Sequence, residues 1–359
     1  MKGLYYGDYL HLEKILGAQE LESAKHGKPA HEEMLFIIVH QAFELWFKQI
    51  MHELGDVVEI LGRDYVPEAD VMKALARVQR VNRILTMIPE QFSILETMTP
   101  REFMEFRDYL YPASGFQSWQ FRMFEISLGV PEAKRLQIDV NGYMARLNDA
   151  DKATVEATLA KPSLADTVER WLEKLPFMET DGYAFWNEYR SAVQNIFDHD
   201  RAELDNVDTL TDEERAKQLR QIAALEANFN ALFVGEAFEQ LRAQGAKRFS
   251  QRATLAALFI TVYSEKPLLT TPYRLLDALL EMDKLISVFR YRHTVMVSRM
   301  IGQRTGTGGS SGFDYLMRTV TQHRVFTDFA DLSSYILPSS RIPNLPDVIA
   351  KQLHFVAES

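Results

Sequence analysis

The 359-residue chain contains no cysteine. Disulfides, thiolate catalysis and thiolate-held zinc or iron–sulfur centres are therefore excluded, and the composition suits a reducing compartment. Any metal must be held by His, Asp, Glu or an organic cofactor. Positive charge is also short, since 50 acidic against 40 basic side chains leave a net charge of −10, with no basic block and no Lys/Arg stripe interleaved with aromatics. The electrostatic footprint of a nucleic-acid binder is missing. Long apolar runs are lacking as well. The start, MKGLYYGDYLHLEKIL, has no apolar leader core, and the longest nearby apolar run, residues 34–39, is far short of the roughly 20 residues that cross a bilayer. These absences predict a soluble cytoplasmic protein with neither membrane nor nucleic acid as a partner. What the chain does have is 47% hydrophobic residues, enough for a sizeable core.

Nearly every long stretch carries the 3.6-residue period of a helix, and no convincing strand alternation or internal repeat is present. The expected fold is all-α, a large helical bundle with an inserted helical subdomain. Residues 32–54 form one predicted helix, and residues 72–98 another, bent at Pro89. Thr99-Pro100-Arg101-Glu102 reads as a capping box with proline at the first helical position, opening a helix to about residue 111. Ala113-Ser114-Gly115 breaks it, and a helix over 116–128 stops at Gly129 and Pro131. From 131 to 250 the sequence is more polar, with short helical patterns at 163–175, 183–197 and 211–244. Thr271-Pro272 opens a last long helix over 272–301, which Gly302 closes. The predicted organisation is an N-terminal segment 1–130, an inserted lobe 131–250 and a C-terminal segment 251–359.

On the last long helix Met282, Ile286, Phe289, His293, Met296 and Met300 recur every three or four residues, placing His293 within an apolar stripe. Such a histidine is either a neutral core residue or an axial ligand, because haem iron takes a neutral imidazole from an apolar wall. His40 repeats the pattern, sharing a face with Phe36, Phe43 and Phe47. HEEML lacks the second histidine of a zincin motif. Asp198-His199-Asp200 resembles a metal cluster only weakly and reads as a solvated turn.

Arg107 has Phe103, Met104, Leu110 and Tyr111 at i±3 and i±4, so its own helix offers no carboxylate. It either reaches water or awaits an anionic ligand. Arg122 has Glu125 at i+3 to satisfy it. The segment RTGTGGSSG lacks the lysine of a P-loop and follows a helix instead of a strand, which leaves a flexible linker or a hydroxyl-bearing lid contributed by Thr307, Ser310 and Ser311.

Together, YGDYLHLEKILGAQEL, HEEMLFIIVHQAFELWFKQIMHEL, QFSILETMTPREFMEFRDYLYPASGFQS, FRYRHTVMVSRMIGQRTGTGGSSGFDYL and FADLSSYILPSSRIPNLP resemble the tryptophan 2,3-dioxygenase family over most of the chain. The 131–250 region looks like the longer insert of animal-type members. The resemblance implies haem b as cofactor, O2 as co-substrate, and conversion of L-tryptophan to N-formyl-L-kynurenine. It makes His293 the metal ligand and His40 the partner of the indole N–H. Phe36, Phe103 and Leu110 become walls of the substrate pocket, with Ile37, Ile38 and Val39 counted in the same segment. Arg107 and Thr307 hold the amino-acid end, and Ala113, Ser114 and Gly115 form a haem-side turn, with Ser114 counted beside His40 as catalytic. Tyr6 and Tyr9 resemble arm residues inserted into a neighbouring subunit, which implies a homotetramer, a dimer of dimers. Phe289, Phe43 and Trp119 depart from residues frequent in the family. A related haem enzyme oxidising another aromatic substrate, or a haem or tryptophan sensor without turnover, is the alternative that these residues allow.

Overall fold

The computed structural model describes residues 3–136, 144, 147–176, 179–180, 183–207, 209–302 and 312–353. The fold is all-α, as the periodicity predicts. Among the described residues the only strand pairing is a two-residue antiparallel match of Glu179–Thr180 with Tyr183–Ala184. The chain divides into two compact units, each drawn from three separate stretches. One comprises Met1–Gly55, Arg80–Pro162 and Met282–Arg324, the other Asp56–Gln79, Ser163–Glu281 and Val325–Ser359.

The local chemistry accounts for most helix ends in the first unit. The helix predicted to end near residue 54 continues as His31–Leu61. Gly55 lies in its interior, where an isolated glycine costs about 1 kcal/mol relative to alanine but does not end a helix. The second predicted helix is broken instead of bent: Glu68–Met87 gives way to a 3₁₀ turn at Ile88–Gln91, with Pro89 in its first positions, and then to Phe92–Leu95. Proline removes a backbone donor and clashes with the preceding turn, so the regular ladder stops there.

Pro100–Arg107 opens with the predicted capping box. The Glu102 N–H donates to Thr99 Oγ1 at 3.3 Å and the Thr99 N–H donates to Glu102 Oε2 at 2.8 Å. Ser118 caps Trp119–Leu128, and Gly129 ends that helix with φ +96°, a conformation that favours glycine over any residue with a Cβ. Asp149–Leu159 packs on Trp119–Leu128. There Trp119 and Met123 lean on the buried Ile126, Leu147 and Val155.

The last long helix is Pro267–Ile301, so Pro267 and not Pro272 supplies the opening proline, and Pro272 sits inside the helix. Gly302 follows it in the left-handed region, φ +60°. Within the first unit the face Met282, Ile286, Phe289, Met296 and Met300 is buried, as the stripe predicts.

In the second unit Leu164–Glu173 packs against Gln251–Val262. Gln251–Val262 is buried on nearly all sides, from Ala253 through Ile260. Phe185, Tyr189, Phe229, Phe259 and Tyr263 form an aromatic core at ring-centroid distances of 5.0–6.3 Å. Tyr189 donates from Oη to the Tyr335 carbonyl at 2.6 Å. The predicted 211–244 helix is two, Asp212–Phe233 and Gly235–Ala243. Asp198, His199 and Asp200 lie exposed within the Phe185–Asp205 helix, not in a turn. Among the described residues no group of three His, Asp or Glu side chains gathers for a metal. None of the described helices is long and apolar enough to cross a membrane.

Candidate functional site

The aromatic wall of the first unit draws its rings from five helical segments. On His31–Leu61, Phe36, His40, Phe43 and Phe47 fall on one face. The Phe36 and His40 rings lie 4.1 Å apart between centroids. Phe103 and Phe106, three apart on Pro100–Arg107, both reach Phe36 at 5.6 Å and meet each other edge-on at 5.4 Å. From His40 the chain of rings runs to Phe43 at 6.2 Å, then to Phe92 at 5.1 Å and Phe289 at 6.1 Å. It ends on His293, which stacks on Phe92 at 5.8 Å and on Phe289 at 6.3 Å. Phe47 and Phe121 close the circle around Phe289 at 5.9 and 5.8 Å.

Both histidines are neutral at physiological pH. Burial lowers the His40 pKa, only partly offset by its backbone hydrogen bond and by the Glu44 charge. Its Nδ1 lies 2.7 Å from the Phe36 carbonyl oxygen, which can only accept. Nδ1 therefore carries the hydrogen and Nε2 is left as an acceptor. Burial also drives the His293 pKa down to about 4, and a proton on His40 opposes one on His293 in the same direction. The two imidazoles are thus near enough to sense each other. Both histidines are half-buried. Among the described residues nothing hydrogen-bonds to the His293 ring.

The remaining predicted residues fall around this wall with different exposures. Arg107 is half-buried at the end of Pro100–Arg107, and Leu110, also half-buried, ends the 3₁₀ turn after it. Ser114 is half-buried between exposed Ala113 and Gly115, its N–H donating to Gln117 Oε1 at 3.0 Å. Val39 is buried and Ile37 half-buried. Ile38 is 48% exposed, about 200° around the helix from Phe36, which sets it apart from the ring chain. Tyr6 and Tyr9 are 70% and 67% exposed on the short Tyr6–Leu10 helix. Thr307, with Ser310 and Ser311, lies outside the described residues.

The stretch from Ala18 to Ser23 is tied to the His31–Leu61 helix. Glu33 accepts from the Glu22 N–H at 2.8 Å, from the Ser23 N–H at 3.0 Å and from the Ser23 hydroxyl. Gln41, beside His40, donates to the Ala18 carbonyl at 3.1 Å.

Sequence reasoning missed Phe92 and Phe121, and it missed a buried charged cluster behind the wall. Arg122 does meet Glu125, NH1 to Oε2 at 2.9 Å, as the i+3 spacing predicts. The same carboxylate also binds Arg290 NH2 at 2.6 Å and His323 Nδ1 at 2.9 Å. Burial alone would raise the Glu125 pKa, but Arg290, Arg122 and His323 outweigh it and hold the carboxyl far below the usual carboxylate range.

Two uncharged imidazoles set among phenylalanine rings make an apolar surface suited to flat apolar groups. The family model described as tryptophan 2,3-dioxygenase matches residues 1–336. Relatives of that name include one from Alteromonas mediterranea, 44% identical over 98% of this chain and 97% of its own. Another, from Dictyostelium discoideum, is 41% identical over 99% and 89%, and one from Xenopus laevis is 43% identical over 98% and 87%. The chain belongs to the tryptophan 2,3-dioxygenase family.

Proposed function

We propose that the protein is a haem enzyme that adds O2 across the indole C2–C3 bond of L-tryptophan, cleaving it to N-formyl-L-kynurenine. The observation that carries this reading is the pair His40 and His293, both neutral and half-buried, at the two ends of one chain of aromatic rings. A haem fits there. Its iron needs a neutral imidazole, which His293 offers, and its porphyrin needs apolar walls, which Phe92 and Phe289 offer. When bound, the haem supplies the oxygen chemistry.

The protein's own part is to bind, orient and exclude water. His40 Nε2 accepts the indole N–H, because its Nδ1 hydrogen is already committed to Phe36. His40 orients the substrate and need not remove a proton, since the product retains every substrate hydrogen and both oxygen atoms. Phe36 and Phe103 hold the indole plane, with Leu110 alongside. Arg107 pairs with the substrate carboxylate and Thr307 caps the same end; Ala113, Ser114 and Gly115 line the haem side. Exposed Tyr5, Tyr6 and Tyr9 present an aromatic arm, which supports insertion into a second copy and assembly as a homotetramer. The absence of cysteine supports a cytoplasmic setting.

Reduced, haem-loaded protein mixed with O2 and L-tryptophan should yield a product heavier by two oxygen atoms. Intact haem with no product, or a product with one added oxygen, overturns the reading.

A further inference from the structure

The Glu125 cluster lies directly behind the wall that carries His293. Arg290 sits one helical turn before His293 on Pro267–Ile301, and its side chain is 5% exposed. NH2 donates to Glu125 Oε1, and NH1 donates to the Thr319 carbonyl at 3.1 Å. The guanidinium also lies over the Phe121 ring at 5.6 Å, and Phe121 packs on Phe289, which stacks on His293. On the backbone side, the buried Thr294 hydroxyl donates to the Arg290 carbonyl at 2.7 Å. His323, just past the Gly312–Gln322 helix, brings its Nδ1–H to the same carboxylate.

Stability alone does not explain such a cluster. Apolar side chains of similar volume replace buried ion pairs at little or no cost, because the desolvation penalty offsets the attraction. What apolar residues cannot do is fix a direction, since their contacts tolerate sliding and rotation, whereas a carboxylate meeting a guanidinium has a preferred plane and distance. At a side-chain radius of about 5–6 Å, a 10° turn of a helix about its axis moves an atom by about 1 Å.

We propose that Glu125 is a positioning residue. By drawing Arg290, Arg122 and His323 onto one carboxylate, it sets the rotation of the Pro267–Ile301 helix and hence the direction in which the His293 ring nitrogen points. The inference rests on the reading of His293 as the haem ligand. It assigns a role in the reaction to a residue that touches neither substrate nor haem.

The test uses the haem-loaded protein and three variants. Glu125→Leu/Arg290→Met replaces the central ion pair with apolar side chains of similar volume while Arg122 and His323 stay, Arg290→Lys keeps the charge but loses the fork, and His293→Ala is the reference. The measurements are the thermal midpoint, the ferric absorption and paramagnetic resonance spectra, and the rate at which haem passes to an excess of an acceptor protein. The double variant is expected to fold with a midpoint within about 4 °C of the parent. It should lose haem about 10–100-fold faster, the range found when groups supporting a metal-bound histidine are removed, with an altered ferric spectrum. Arg290→Lys should fall between the two. A double variant with the parental spectrum and release rate, or one that fails to fold, overturns the proposal by showing the cluster to be structural. A parental spectrum and release rate in His293→Ala would instead overturn the ligand reading itself, and the two failures are therefore distinguishable.

Discussion

Acid should reveal how firmly the wall holds His293 uncharged. On the proposed reading of His293 as haem ligand, protons and iron compete for the same ring nitrogen, so haem affinity should follow the neutral fraction of the imidazole. The His293 pKa is lowered from the ordinary 6.5 to about 4, first by burial and then by His40. Because the shift is downward, the neutral form survives as pH falls and is lost only as pH passes through about 4. At pH 5 an imidazole of pKa about 4 is about nine-tenths neutral, whereas one at 6.5 is about 3% neutral, a difference of about thirtyfold. The assay is equilibrium binding of ferric haem by the haem-free protein between pH 7 and 4.5. The control is His293→Gly supplied with free imidazole, which lacks the buried environment before it binds. The parent should keep its pH 7 affinity nearly unchanged at pH 5, while the rescued variant loses more than tenfold over the same range. Parallel curves would refute the reasoning, since they would show that His293 titrates as an exposed residue.

Three further outcomes are expected. Arg107→Ala should raise KM for L-tryptophan with haem content unchanged, by an amount equivalent to about 2–5 kcal/mol for a desolvated charge pair, as read from steady-state kinetics. His40→Ala should retain haem and lower kcat/KM by the equivalent of about 1–3 kcal/mol, the cost of a buried donor left without its acceptor; loss of haem there would exchange the roles of the two histidines. Phe289→Ala removes a buried ring touching Phe43, Phe47, Phe92, Phe121 and His293 and should cost about 3–5 kcal/mol in denaturant unfolding, with Phe289→Leu costing less.

How much was legible in the sequence depended on distance along the chain. Signals confined to one turn were readable: the Thr99–Glu102 box, the glycine stop at 129, the Arg122–Glu125 pair and the stripe through Phe289 and Met296. Gln251–Val262 was not, because a helix buried on nearly all sides has no polar face to give it a period. Pro272 misled because proline is tolerated in a first turn, and Pro267 had already opened the helix. The Phe36–His40 face was visible from spacing, yet its contact with Phe103 depends on tertiary packing. The Glu125 cluster joins residues 165 and 198 positions apart, a range at which no periodicity carries information.

The rings that join His40 to His293, together with Phe36, Phe103, Phe47 and Phe121, are all phenylalanine, with neither a tyrosine nor a tryptophan among them. A benzene ring without a heteroatom lone pair gives up an electron far less readily than a phenol or an indole. Electron holes generated beside these rings would therefore find no phenol or indole among them to serve as a stepping stone.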